Sequence, residues 1–333
     1  MVWFKRLILS ATFLTVCVIV FGAFVRLTDA GLGCPDWPGC FGTLTVPESA
    51  AAILEAQISY PGSIVDVTKA WYEMIHRYLA GILGILILSI AIFSYKIRNE
   101  LKVRLALPFS ILALVIFQAA LGMWTVTELL KPAIVTLHLM GGMTILGLLT
   151  YFSHRHMGSV SDIIIFDKGS RPLIRFGLVL LFIQIMLGGW TSTNYAALAC
   201  TDFPTCHGEL IPDMDFINGF NIFRDLGVTS SGKGLSISAL QAIQWVHRVG
   251  AIILTTYFIY IYWLLKGYPS TSFYRNILML VLIFQVIIGI ANLVLYLPLF
   301  LATLHNFTAA LLVIIFTIIN SRITPRYDKN YNY

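Results

Sequence analysis

Apolar residues run along this chain in long, nearly unbroken blocks, not in the alternation of a half-buried strand or the one-sided stripe of a surface helix. Eight blocks reach the length of about 18 residues or more that carries a helix across a bilayer. They cover residues 7–25, 71–95, 105–127, 132–153, 173–195, 238–265, 275–296 and 298–320. The pattern predicts eight transmembrane helices in an all-α integral membrane protein. The first block follows Lys5 and Arg6 in the manner of a signal peptide, but its length and the lack of a clear small-residue cleavage site favour a retained span. Two polar intervals, 41–70 and 207–237, are long enough to cover one end of the helices.

Composition agrees. Of the 333 residues 58% are hydrophobic and 11% charged, where a soluble domain carries about 25% charged residues. Lysine and arginine collect on the cytoplasmic side of membrane proteins. Placing both termini inside puts 15 of the 22 basic residues there and leaves 12 of the 16 acids on the other side. The net charge of +6 is then a topology signal, and no nucleic acid is needed to explain it.

The chain also repeats itself. Cys34 and Cys40 fall on Cys200 and Cys206 at an offset of 166, His76-Arg77 on His247-Arg248 at 171, and Thr136-Leu137-His138 on Thr303-Leu304-His305 at 167. Phe117-Gln118 with Gly122 matches Phe284-Gln285 with Gly289, again at 167. The organisation expected is two tandem, pseudo-symmetric four-helix bundles, 1–153 and 173–321, joined by a cytoplasmic linker 154–172 and followed by a cytoplasmic tail 322–333. Four spans per half is an even number, so the two halves share one orientation, about an axis along the membrane normal.

Four histidines carry the chemistry. His76, His138, His247 and His305 each lie a few residues inside the outer end of a span, at one depth. An ionisable group costs about 2.5–3.5 kcal/mol at mid-bilayer on insertion scales, and four at repeated positions call for an offsetting partner. Metal is the natural one, and heme iron in particular, since facing helices of a bundle hold heme between paired imidazoles. Packing or proton-relay histidines are the competing reading. His154, His156 and His207 fall in predicted loops without repeat partners and read as solvated surface.

Three residues before the second-span histidine the halves differ: Glu73 in the first, Gln244 in the second. A carboxylate beside a porphyrin can act as general acid or base, whereas an amide keeps the hydrogen bonding without the proton. The alternative is an ion pair of Glu73 with Arg77 one turn on. Arg77 and Arg248 either reach the propionates of a macrocycle or snorkel to the headgroups. Cys34-Pro-Asp-Trp-Pro-Gly-Cys40 and Cys200-Thr-Asp-Phe-Pro-Thr-Cys206 share one frame on the oxidising side of the membrane, where two intra-loop disulfides are expected. Cys17, mid-span, reads as packing.

The run Gly22-Ala-Phe-Val-Arg-Leu-Thr-Asp-Ala-Gly-Leu-Gly-Cys34, continued through Cys40 and joined to Glu73-Met-Ile-His76-Arg77 and Thr136-Leu-His138, resembles the heme A synthase family over essentially the whole chain. That resemblance implies a multi-pass oxidoreductase of the bacterial inner membrane that oxidises the C8 methyl of heme O to the formyl of heme A for heme-copper terminal oxidases. It implies substrate heme at His76 and His138, with Glu73 as the catalytic acid, and a cofactor heme b on His247 and His305. It also implies electron or substrate handling by Cys34 and Cys40, and a stabilising disulfide between Cys200 and Cys206. Membrane lipid, a heme O synthase, an electron-transfer partner and a second copy of the chain are the partners it suggests. From the residues alone, a di-heme electron-transfer protein of cytochrome b type and a heme transporter or chaperone remain in play.

Overall fold

The computed structural model describes residues 2–101, 104–157, 164–165, 169–229 and 232–324. Eight long apolar helices dominate it: α1 (Val2–Leu27), α3 (Val67–Leu101), α4 (Ala106–Thr127), α5 (Pro132–Met157), α6 (Ser170–Thr193), α8 (Ile237–Leu265), α9 (Ser272–Val294) and α10 (Leu299–Ser321). Two short helices, α2 (Ala50–Ser59) and α7 (Phe216–Gly219), lie in the long polar intervals. Ile164–Ile165 and Ile323–Thr324 pair as a two-residue parallel ladder, a small departure from an all-helical chain. Most of the expected linker and tail lies outside the described residues, as do Lys102, Lys168, Arg326 and Lys329.

Local chemistry sets the helix ends. The hydroxyls of Ser49 and Ser236 accept from the amides of Ala52 and Ala239, capping α2 and α8. Between α4 and α5 the chain turns on Leu129 and Leu130, both at positive φ, and the Leu130 amide donates to Thr125 O at 2.8 Å. Between α9 and α10 it does the same on Tyr296 and Leu297, the Leu297 amide donating to Asn292 O at 2.6 Å. These six-to-one bonds close the helices in the Schellman manner, and Pro132 or Pro298 follows at once because it cannot extend the helix it leaves.

α1 packs on α3 and α5, α4 on α5, α6 on α8, and α9 on α10, while α1, α5, α6 and α10 meet in the middle. One core joins Phe4, Ile8, Ile87, Ile111 and Phe152 of the first four spans. A larger one joins Ile174, Leu181, Phe258, Leu282 and Phe316 of the last four and takes in Met143 and Leu146 of α5. Phe258 and Phe316 stack at 4.7 Å, and α6 passes over that ring on Gly177, where a Cβ would sit 2.8 Å from Phe316 Cζ. Small residues permit such close packing between spans, where burial from water is not the driving force. Phe13, Ile85 and Phe300 are 72%, 66% and 74% exposed, an outward face suited to lipid.

His154 does not lie in a loop. The polar residues after 153 end the hydropathy block but not the helix, so α5 runs on to Met157. There the half-buried His154 Nδ1 meets Ser321 Oγ at 2.8 Å, and its Nε2 accepts from Arg322 Nε at 3.3 Å. The side chain of His156 lies outside the described part.

Candidate functional site

His76 stands on α3 and His138 on α5, and their rings face each other with centroids 6.5 Å apart and planes at 73°. Metal–imidazole bonds are about 2.0–2.1 Å long, and an imidazole nitrogen lies about one ångström from its ring centre. Two imidazoles on opposite sides of one metal therefore stand with centres roughly 6 Å apart. The observed spacing fits. Among the described residues no three or more His, Cys, Asp or Glu side chains converge on a metal position. A pair of imidazoles alone is the complement that an iron porphyrin needs, because the macrocycle fills the remaining positions.

The second pair stands on the sixth and eighth spans. His247 is carried by α8 and His305 by α10. Each of the four rings rests against a glycine of a neighbouring helix: a Cβ would lie 2.8, 3.3, 3.1 and 3.1 Å from Cε1 of His76, His138, His247 and His305 at Gly22, Gly122, Gly188 and Gly289. Any larger residue at these points would push the ring or the helix. All four rings are half-buried, walled by protein on one side, and Nδ1 of His76 and of His305 is buried with no hydrogen-bond partner.

Glutamines hold three of these rings, a role that sequence reading did not assign. Gln118 Nε2 lies 3.1 Å from His138 Nδ1, Gln184 Nε2 lies 3.0 Å from His247 Nδ1, and Gln285 Nε2 lies 3.2 Å from His305 Nε2. Gln118 and Gln184 also donate to the backbone carbonyls of His138 and His247. The available signal was the spacing of each glutamine four residues before its glycine, which puts both on one helix face.

Glu73 is buried at 4% exposure, and both its oxygens are engaged. Oε2 accepts from the Cys34 amide at 2.9 Å, and Oε1 pairs with Arg77 Nη2 at 2.5 Å. Gln244 repeats the first of these bonds: its Oε1 accepts from the Cys200 amide at 2.6 Å, while its Nε2 donates to Ala197 O. Both side chains thus pin the start of a cysteine loop to the helix that carries a histidine. The arginines hold the other end. Arg77 Nη1 donates to the carbonyls of Asp36 and Gly39, and Arg248 donates to Thr205 O at 2.8 Å and Cys200 O at 3.0 Å. The ion pair anticipated as the alternative for Glu73 is present, and both guanidiniums bond to loop carbonyls.

The loops are closed by disulfides, Cys34–Cys40 and Cys200–Cys206. The aspartate they share turns the chain: Asp36 accepts from the amides of Phe41 and Gly42, and Asp202 from those of His207 and Gly208. The Thr205 hydroxyl, the Gly208 amide and the His207 amide hold the Asp202 carboxyl well below the usual carboxylate range. His207 is not simply solvated, since its ring meets Ala199 O at 3.0 Å. Cys17 is free and half-buried on α1. In the second long loop Arg224 is buried at 2% exposure beneath Trp190 and bonded to Asn194 Oδ1, a burial that no feature of the loop's sequence announced.

The model of a family described as cytochrome oxidase assembly protein matches residues 5–317 of this chain. A heme A synthase of Shewanella oneidensis is 42% identical over 96% of this chain and 95% of its own length. A heme A synthase of Shouchella clausii is 24% identical over 95% of this chain and 94% of its own, and one of Brucella anthropi is 27% identical over 93% and 88%.

Proposed function

This chain belongs to the family of cytochrome oxidase assembly proteins, and from that premise we propose that it is a heme A synthase. It is a multi-pass bacterial membrane protein that oxidises the C8 methyl of heme O to the formyl of heme A. The observation that carries the reading to particular residues is the facing of His76 and His138 at 6.5 Å, a separation suited to one iron. In this reading the first pair takes heme O, and His247 and His305 hold a resident heme b. When bound, the porphyrin iron supplies the redox centre for removing electrons. The protein's own contribution is ligation at fixed depth and Glu73. Glu73 carries proton chemistry at the first site. Gln244 occupies the matching place with no ionisable proton.

The halves 1–153 and 173–321 are read as repeats about an axis along the membrane normal, with both termini cytoplasmic. A residue can touch its own repeat equivalent only near such an axis. Arg26 donates to Ser192 O at 2.8 Å and Tyr195 OH to Asp29 at 2.7 Å, each pair 166 residues apart, while Ser321 and His154 meet 167 apart at the opposite end of the spans. These contacts support an axis that runs the length of the helices.

The test is extraction and chromatography of pigment from protein purified out of cells that make heme O. Heme b together with heme O or heme A is expected. Glu73→Gln should retain both pigments of the unreacted enzyme and yield no heme A. Heme b alone from such cells would favour pure electron transfer, and undiminished heme A from the variant would remove Glu73 from the chemistry.

A further inference from the structure

Gln118-x-x-x-Gly122 on α4, Gln184-x-x-x-Gly188 on α6 and Gln285-x-x-x-Gly289 on α9 are one motif used three times: glycine admits the helix to the imidazole, and glutamine one turn earlier bonds the ring. On α1 the same register reads Val18-x-x-x-Gly22. Gly22 makes the tightest approach of the four, with a Cβ position 2.8 Å from His76 Cε1, so α1 is close enough to carry a partner. Valine offers none. His76 Nδ1 is buried with no hydrogen bond, as is His305 Nδ1, but an amide meets His305 at Nε2, whereas among the described residues none meets His76 at either ring nitrogen.

A ligating imidazole normally gives its second ring N–H to an acceptor that fixes its orientation and strengthens the donor nitrogen, and losing such a partner weakens metal binding about 10–100-fold. A glutamine can serve once its amide makes half a turn, which presents oxygen to that N–H and gives up the bond that Nε2 of Gln118 and of Gln184 makes to the histidine's own carbonyl. We propose that His76 is the exchangeable axial ligand of the first pair, released and retaken while His138 stays anchored by Gln118. This rests on the reading of the first pair as the heme O site. A site that admits one porphyrin and discharges another on every cycle needs a ligand that lets go. The resident site, with an amide on both imidazoles, does not.

Cyanide serves as the probe, since it enters only where an axial nitrogen has left. The full chain carrying its resident heme is reconstituted with one equivalent of ferric heme O and mixed with cyanide in a stopped-flow spectrometer. Two phases are expected, the faster from the first site. Val18→Gln should slow the faster phase about 10–100-fold with the low-spin spectrum retained. Gln184→Leu should convert the slow phase to a fast one by freeing His247. One common rate for both hemes, or a fast phase unmoved by Val18→Gln, overturns the proposal. Should Val18→Gln fail to fold, a slow phase that persists in Gln184→Leu overturns it equally. Heme counting separates this inference from its premise. Uptake of heme O undiminished in both His76→Ala and His138→Ala sinks the ligation reading and this inference with it, whereas uptake lost in both with coincident cyanide rates sinks this inference alone.

Discussion

Gly188 meets the Cε1 of His247 so closely that a Cβ would stand 3.1 Å away, and one methyl group there tests the packing of the whole second site. Gly188→Ala should lower resident heme content while leaving the helices intact, and Gly188→Val should abolish it, read from the ratio of heme absorbance to protein together with circular dichroism. Full heme occupancy in the valine variant would show that the ring does not depend on this wall. The four histidines were legible as residues because the repeat marks them and because an imidazole in an apolar span is costly. The glutamines were not, although they lie in the same repeat. A buried amide has many uses, and only proximity to a ring tells one from another.

The cysteine loops show how two helices and a turn become one piece. Asp36 and Asp202 turn the chain, Glu73 and Gln244 hold the first cysteine's amide, and Arg77 and Arg248 hold carbonyls toward the loop's end. Hydrogen bonds to charged groups contribute about 1.5–3 kcal/mol each, so Arg248→Ala should lower the thermal unfolding midpoint in detergent and speed proteolysis within 201–212. If the arginine served chiefly as a propionate ligand, the heme spectrum would shift with the midpoint unchanged. Sequence reading weighed propionates and headgroups for these guanidiniums and left out the loop, because the loop's carbonyls reach them only after it has folded back over the helix. The end of α5 illustrates the converse. Hydropathy stops at the last apolar residue, while the helix continues to Met157 as long as its backbone bonds are satisfied.

Sidedness belongs to the molecule entire. With the cysteine loops facing out, Ile217→Cys, at a position 85% exposed in the second loop, should react with a membrane-impermeant maleimide in intact spheroplasts, and Lys96→Cys, at the far end of α3, only after lysis. The reverse pattern would invert the topology. The two groups of spans are not independent globules either. Met143 and Leu146 of α5 enter the core built by the last four spans, so cutting the chain between 157 and 170 should leave two pieces that copurify in detergent.

Hydropathy, charge placement and internal repetition are local properties summed along the chain, and they sufficed for eight spans, for the halves as an expectation and for the four histidines. Which ring faces which, which amide serves which imidazole and where each guanidinium goes depend on how far one helix is rotated and how closely it approaches another. Those are set by contacts between residues far apart in sequence, such as glycine against an imidazole or leucine against a phenylalanine, and no window of neighbouring residues contains them.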